Sequence, residues 1–319
     1  MKIGAVELPN TFALAPMAGL SDVPFRTIAW QLGRPYLVSE MVSSKVELWE
    51  TGKSRLRRVP VPGATPVAVQ IAGTDPRVMA QAAQRHVDEG VEIIDINFGC
   101  PAKKVCRKFA GSALLQDLDL LGRIVDAVAR AVPVPITVKT RTGLTTKDDL
   151  GVQAGCIAVQ NGAQMVVMHG RSRACKFNGQ ADYAAVRALK SKVDVPVMVN
   201  GDIDSVAAAH QALADSSADG VMIGRGALGQ PWLFAELAGK PVPDRPGKWQ
   251  IICTHVELMH SFYGELAGLR IARKHVLAYL QHLGLAEHGK AFLQVSDAHE
   301  QLDWLLSMSR WDQQARDAA

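Results

Sequence analysis

Short β-prone runs alternate with helical segments eight times before residue 239, and this alternation constrains the chain more than any other feature. The expected strands are 12–15, 36–39, 66–71, 92–97, 135–140, 165–169, 196–200 and 219–223. Segments 76–89, 119–131, 148–160, 182–190 and 205–213 between them are rich in Ala and Leu at helical spacing. Asp75-Pro76 and Asp204-Ser205 suit helix starts, whereas Gly90 and Gly162 suit helix ends. Strands that alternate with helices pair in parallel through right-handed crossovers. Eight such units predict an α/β fold, a (β/α)8 TIM barrel, over residues 1–238. A proline- and glycine-rich linker at 239–248 ends the pattern, and 249–319 reads as a small all-helical C-terminal domain with a frayed tail beyond Trp311.

Composition narrows the classes. No stretch approaches the roughly 20 uncharged apolar residues of a membrane span. The opening Met1 to Glu7 carries an early acid and no long apolar run, so a secretory signal is not expected. The five cysteines contain no Cys-x-x-Cys pair, which signals neither a disulfide framework nor a metal site. The expectation is a cytoplasmic, reduced, monomeric protein without a metal or a membrane partner. Net charge +4 identifies no partner by itself. The cations are clustered, however, at Arg57-Arg58, at Lys103-Lys104 with Arg107-Lys108, at Arg171 and Arg173, and at Arg270, Arg273 and Lys274. The last three share one helix face at i, i+3, i+4 spacing.

A barrel of this kind carries its active site at the C-terminal ends of its strands. Nearly every such end here bears a polar group: Pro16-Met17-Ala18-Gly19, Glu40, Gln70, Asn97, Lys139 with Arg141, His169, Asn200-Gly201-Asp202 and Gly224-Arg225-Gly226. Lys139 and Arg141 lie two apart and so share a face pointing into the barrel mouth. The amides of Gln70 and Asn97 suit the edge of a ring with paired donors and acceptors. Lys139 is either an ammonium that stabilises a reduced flavin ring or a ligand for phosphate or carboxylate. His169 either bonds a cofactor or caps a loop. The last two ends read as a phosphate site, with Gly201 allowing close backbone approach and Arg225 supplying a fork before a helix through Ala227 and Leu228. Gly224, Gly226 and Gly229 match a dinucleotide pattern, but no further βαβ unit follows them, so a mononucleotide fits better. Cys100 stands at a strand tip on a loop punctuated by Gly99 and Pro101. Isolated cysteines are usually small buried hydrophobes, but loops on rigid elements are where reactive groups concentrate.

The stretch from Ala15 to Arg26 resembles the opening motif of the tRNA-dihydrouridine synthases, and Asp95-Ile96-Asn97-Phe98-Gly99-Cys100-Pro101 resembles their catalytic signature. Val138 to Gly143, His169 to Arg173, Asn200 to Ile203 and Met222 to Gly226 follow in family order. Gln230-Pro231-Trp232 and Arg270 to His275 resemble the bacterial B-type branch. The resemblance implies a barrel holding FMN and a helical domain that binds tRNA, with NADPH (or NADH) as reductant. The activity it implies is reduction of the C5=C6 bond of a D-loop uridine, by hydride from FMN to C6 and a proton from Cys100 to C5. Carried over by position, Pro16, Met17, Ala18, Gln70, Lys139, His169, Asn200, Gly201, Asp202, Gly224 and Arg225 hold FMN. Asn97 and Arg141 are the candidates for uracil recognition. Lys103, Lys104, Arg171, Arg173, Arg270, Arg273 and Lys274 are expected to meet tRNA. Cys106 departs from the family pattern, six residues from the reactive thiol, and is either inert or part of an oxidation-sensitive pair. The rival readings are an FMN barrel acting on a free pyrimidine, a non-redox phosphate-sugar barrel and a non-catalytic RNA-binding protein. A free base needs no basic helical appendage, which argues against the first.

Overall fold

The computed structural model describes residues 1–317. Eleven strands form among these residues. Strands β1 (Lys2–Ile3) and β2 (Val6–Glu7) make an antiparallel hairpin that the alternation did not reveal. The others are β3 (Phe12–Leu14), β4 (Tyr36–Leu37), β5 (Val42–Ser43), β6 (Ala68–Ala72), β7 (Ile93–Asn97), β8 (Ile136–Arg141), β9 (Ala163–His169), β10 (Val197–Asn200) and β11 (Gly220–Ile223). They form one parallel sheet in the order β4-β3-β11-β10-β9-β8-β7-β6-β5. A parallel bridge from Val38 to Ala68 joins the β4 end to β6, so the sheet closes. β4 and β5 are two short pieces of one barrel position, both beside β6. The eight expected strands and the (β/α)8 barrel are therefore present.

Side-chain alternation explains the barrel's interior. Ala13, Ala15, Tyr36, Val38, Ala68, Ile93, Met165, Val167, Met198 and Met222 form one inner cluster. Ile3 and Leu8, from the N-terminal hairpin segment, belong to the same cluster. The intervening residues Val69, Ile71, Ile94, Ile96 and Val138 face outward into a second core that includes Met79, Ala82 and Ala83 of the Pro76–Asp88 helix and Leu121, Ile124, Val125 and Val128 of the Leu118–Ala131 helix. Asp75 starts the first of these helices by accepting from the backbone N–H groups of Arg77 and Val78.

The chain divides into two compact units, Met1–Asp22 with Arg34–Gly224, and Val23–Gly33 with Arg225–Ala319. These differ from the expected segments 1–238, 239–248 and 249–319. Within the second unit, the Val23–Gly33 helix packs on the Arg245–Tyr263 and Leu233–Leu237 helices. Gly33 permits this, because a Cβ there would strike the backbone carbonyl of Phe234. The Arg245–Tyr263 helix also begins inside the expected linker, capped by Asp244 accepting from the N–H of Gly247. The core of this unit joins Trp249, Ile252, Val256, Met259, Val276, Tyr279, Phe292 and Leu305. The helix expected through Ala227 and Leu228 is a single 3-10 turn, Arg225–Ala227. The tail is helical to Asp317 rather than frayed from Trp311, because buried Asp312 accepts from Arg245 and from the Trp249 indole. Residues 318 and 319 lie outside the described residues. Among the described residues, no helix is long and apolar enough to cross a membrane.

Candidate active site

The inward-facing rows of β6 to β10 change from apolar to polar towards their C-terminal ends. Register sets Gln70 opposite Asp95, Asp95 opposite Thr137, Asn97 opposite Lys139, and His169 beside both Arg141 and Asn200. Six expected residues, Gln70, Asn97, Lys139, Arg141, His169 and Asn200, thus come together on neighbouring strands for a purely geometric reason. The strands are in parallel register, and each polar residue sits two places beyond an inward partner.

Beneath this layer lies a closed network. Gln70 is fully buried and donates through Nε2 to Asp95 Oδ2 at 2.7 Å, while its Oε1 accepts from Asn97 Nδ2 at 2.7 Å. Thr137 Oγ1 donates to the other Asp95 oxygen at 2.6 Å. Burial pushes the Asp95 carboxyl up to about 6, against the hydrogen bonds from Thr137 and Gln70. Asp95 and Thr137 were not among the expected site residues. The available signal was their spacing, two before Asn97 and two before Lys139.

Lys139 reaches Asn200 Oδ1 at 2.9 Å. Asn200 in turn donates to the Met222 carbonyl at 2.8 Å, which fixes its amide. Burial lowers the Lys139 ammonium to about 7, with neighbouring Arg141 acting in the same direction. An ammonium has three donors, so two remain for a ligand. A half-buried cation with a single amide partner favours an anionic or carbonyl-rich ring edge.

Asn97 and Arg141, expected to read uracil, are instead turned to the protein. Asn97 Oδ1 accepts from the N–H groups of Gly99 at 3.1 Å and Cys100 at 2.9 Å. Arg141 is 3% exposed and donates to the carbonyls of Gly99, Ser172 and Lys176. Its guanidinium also lies 5.5 Å from the Phe177 ring centre. These two residues hold the Cys100 loop to the end of β8 and to the loop after β9.

Cys100 is half-buried. Its carbonyl accepts from Ser112 N–H at 3.1 Å and Ser112 Oγ at 2.9 Å, and Cys106 Sγ approaches it at 3.5 Å. Cys106, the expected departure from the family pattern, therefore packs against the Cys100 backbone, also 3.6 Å from Ser112 Oγ. Gly111 has φ +63°, and a Cβ there would crowd both the carbonyl and the Cβ of Cys100. Burial raises the Cys100 thiol above its ordinary range and outweighs Arg141 and Lys139, which favour the thiolate.

The remaining expected residues are placed as follows. Ser21 Oγ takes the Met17 N–H at 2.6 Å and Glu40 takes the Gly19 N–H at 2.6 Å, shaping the Pro16-Met17-Ala18 loop. Gly201 has φ +122°, and a Cβ there would sit 3.0 Å from the His169 ring. A Cβ on Gly224 would meet Met17 Sδ at 3.5 Å. Two bare backbone segments and a set of amide, ammonium and imidazole groups suit a flat heteroaromatic ring, so the residues present fit the expected flavin. Arg225 is exposed. Arg171, expected on the RNA surface, is 4% exposed and bonds both oxygens of Asp202 at 2.6 and 2.7 Å. Both contacts come from Nη2, while Nε donates to the Asn178 carbonyl, and a guanidinium engaged in this way is not a free surface cation. Arg57 and Arg58 are likewise engaged, by Glu40 and Glu89 respectively, and Arg58 stacks on Trp49. Arg173 is half-buried. Arg273 is half-buried too and donates to the Val295 carbonyl, whereas Arg270 and Lys274 are exposed. Lys103 and Lys104 are exposed, as expected.

The sequence profile of the dihydrouridine synthase (Dus) family matches residues 13–315. The tRNA-dihydrouridine synthase B of Salmonella typhimurium is 47% identical over 313 residues, covering 96% of this chain and 98% of that protein. The protein of that name from Escherichia coli is 46% identical over the same shares. The one from Pseudomonas aeruginosa is 47% identical over 309 residues, 94% of this chain and 93% of its own. Among solved structures, morphinone reductase aligns with a TM-score of 0.52 at 14% identity, over 77% of this chain and 90% of that one. Histamine dehydrogenase from Rhizobium sp. 4-9 aligns with a TM-score of 0.54 at 13% identity, over 81% of this chain and 50% of that one. At such identities these two bear on the fold alone.

Proposed function

The chain belongs to the dihydrouridine synthase family, and from this premise we propose that it reduces the C5=C6 bond of a D-loop uridine in tRNA, with the Cys100 thiol giving the proton to C5. It is a flavin-dependent enzyme and its substrate is tRNA. The observation that carries the assignment of the acid is the balance at Cys100. Burial keeps the thiol protonated near neutrality although two cations stand by, and an acid must arrive with its proton.

The uridine leaves its stack to enter the barrel mouth, at a cost of about a few kcal/mol. When bound, FMN supplies the hydride for uracil C6, and NADPH or NADH restores it. Asn97, Arg141 and Ser112 keep the Cys100 loop at one place on the rim, so that the thiol meets the base in one geometry. The two unspent Lys139 donors hold the electron-rich edge of the flavin ring. His169, Asn200, Gly201, Asp202, Gly224 and the Pro16-Met17-Ala18 loop would hold the rest of FMN, Gln70 would back them from beneath through Asn97, and Arg225 is assigned to its phosphate by position in the sequence. Exposed Lys103, Lys104, Arg270 and Lys274 bind the tRNA backbone. Residues 1–238 carry the flavin chemistry and 249–319 the tRNA-binding helices, in a monomeric cytoplasmic enzyme.

The test is Cys100→Ala. It should keep its flavin spectrum and its tRNA affinity while forming dihydrouridine about 100-fold or more slowly. Turnover near that of the unaltered protein would remove the thiol from the mechanism.

A further inference from the structure

The loop from Cys100 to Ser112 carries a second feature that the chemistry of proton transfer does not use. Phe109 is 68% exposed, in a chain whose other large aromatic residues are mostly buried. Its backbone has φ +57°, a left-handed conformation that is rare for a bulky residue. That turn is local, since it closes the short helix before it through Ala110 N–H to the Val105 carbonyl and Phe109 N–H to the Cys106 carbonyl; what the folded chain does not account for is the apolar ring the turn leaves in solvent.

The surroundings of the ring say what that explanation is. Lys103, Lys104, Arg107 and Lys108 are all exposed on the same loop. No acidic residue lies between Cys100 and Gln116. An aromatic ring among uncompensated cations suits single-stranded nucleic acid, whose phosphates meet the cations and whose bases stack on the ring. A protein partner with an apolar patch would not require the four cations.

The loop also fixes the ring's distance from the reaction. Its two ends are tied where Ser112 N–H and Oγ both donate to the Cys100 carbonyl. Cys106 Sγ lies 3.5 Å from that same carbonyl. The Phe109 N–H donates to the Cys106 carbonyl at 3.0 Å. Three residues span at most about 11 Å. The hydrogen bond from Phe109 N–H to the Cys106 carbonyl draws these two closer than that limit, so the ring and Cys100 ride on one compact loop.

We propose that Phe109 is a stacking platform for a tRNA base next to the extruded uridine, and that the cations around it seat the neighbouring phosphates. The proposal rests on tRNA being the substrate. It makes the Cys100 loop a single part that places the acid and supports the opened stack together. Phe109 is a substrate-positioning residue in this scheme and takes no part in the bond changes.

The experiment compares Phe109→Ala, Phe109→Leu and Phe109→Trp, all purified with flavin and compared with the unaltered protein on unmodified tRNA. Dihydrouridine formation gives kcat/KM. A tRNA with 2-aminopurine beside the target uridine reports unstacking by fluorescence, and binding is titrated across salt. Phe109→Ala and Phe109→Leu should each lose about tenfold in kcat/KM. Phe109→Trp should retain it, since stacking needs a π-face and not just apolar bulk. The 2-aminopurine signal on binding should shrink for Ala and Leu, while the salt slope of binding stays unchanged. Ala and Leu variants within twofold of the unaltered protein would overturn the proposal. Leu matching Trp would overturn it too, as would a salt slope reduced by one or more, because the loss would then come from the cations. Unaltered protein that forms no dihydrouridine in tRNA would overturn the proposed function itself, which separates the two failures.

Discussion

At the scale of the residue, the same side chain can read a substrate or hold the group that does. Asn97 and Arg141 stand where the chemistry of their side chains suggests base recognition, yet their polar atoms are given to Gln70, to the Gly99 and Cys100 N–H groups and to three loop carbonyls. Asn97→Ala should therefore lower kcat about tenfold or more while leaving flavin bound. It should also loosen the burial that holds the Cys100 thiol up. More thiolate would then exist at pH 8, and alkylation of Cys100 by iodoacetamide should speed up. An unchanged alkylation profile would count against the positioning role. Lys139 gives a pH prediction of its own. Its ammonium titrates at about 7 without a ligand, and an electron-rich ring edge beside it raises that value on binding. FMN binding at pH 8 should thus take up protons, seen in calorimetry as a buffer-dependent enthalpy. Affinity should be full below 7 and fall as pH rises above it. The sequence showed where Lys139 and Cys100 would stand, because strand ends are local features. It did not show which hydrogen bonds Asn97 and Arg141 make, because their partners at 70, 172 and 176 arrive through the fold.

At the scale of the element, a two-residue period does most of the work of building the site. β7 runs Ile93, Asp95, Asn97 on its inner face, and β8 runs Thr137, Lys139, Arg141. The apolar-to-polar change along each strand places the charged layer at the open end and the methionines beneath it. That pattern was legible once the strands were identified. The N-terminal hairpin was not, since two-residue strands carry no periodicity. The contact at the start of the Leu150–Gln160 helix was equally hidden. Gly151 donates its N–H to the Thr142 carbonyl at 2.9 Å, and a Cβ on it would strike the Arg141 carbonyl. Gly151→Ala should push this helix off the end of β8, costing about 1–3 kcal/mol by overpacking. The thermal midpoint should drop, and Arg141 should lose its grip on the Cys100 loop. A midpoint unchanged within a degree would show that the helix start yields freely.

At the scale of the whole molecule, charge and buried histidines set the response to solution conditions. Burial lowers His86 to about 4 and His275 to about 3, and lowers His255 well below its ordinary value. The unfolded chain protonates these rings near 6.5, so their contribution to stability is complete above that pH. It is lost as pH falls towards 3 or 4, by up to about 1.4 kcal/mol per pH unit for each group. Asp95, raised to about 6, opposes this between roughly 4 and 6. Three rings against one carboxyl leave a net loss, so the urea midpoint should fall between pH 7 and pH 5. Equal midpoints would contradict these buried neutral rings. For RNA, Lys103→Ala with Lys104→Ala should lower the log–log salt slope of tRNA binding by about 1.4 to 1.8, and Arg270→Ala with Lys274→Ala should do the same. A slope unaffected by either pair would remove that pair from the footprint. The sequence alone determined the barrel and the order of its polar strand ends, and set Cys100 at the tip of one of them, because each depends on neighbours along the chain. Only the tertiary structure decided which cations stay exposed, like Lys103 and Lys104, and which, like Arg58 and Arg171, are spent on acids at positions 89 and 202. It also decided that the Val23–Gly33 helix packs with the C-terminal helices. The physical reason is common to both: charge pairing and burial are settled by groups far apart in the chain, and no local pattern encodes which of them meet.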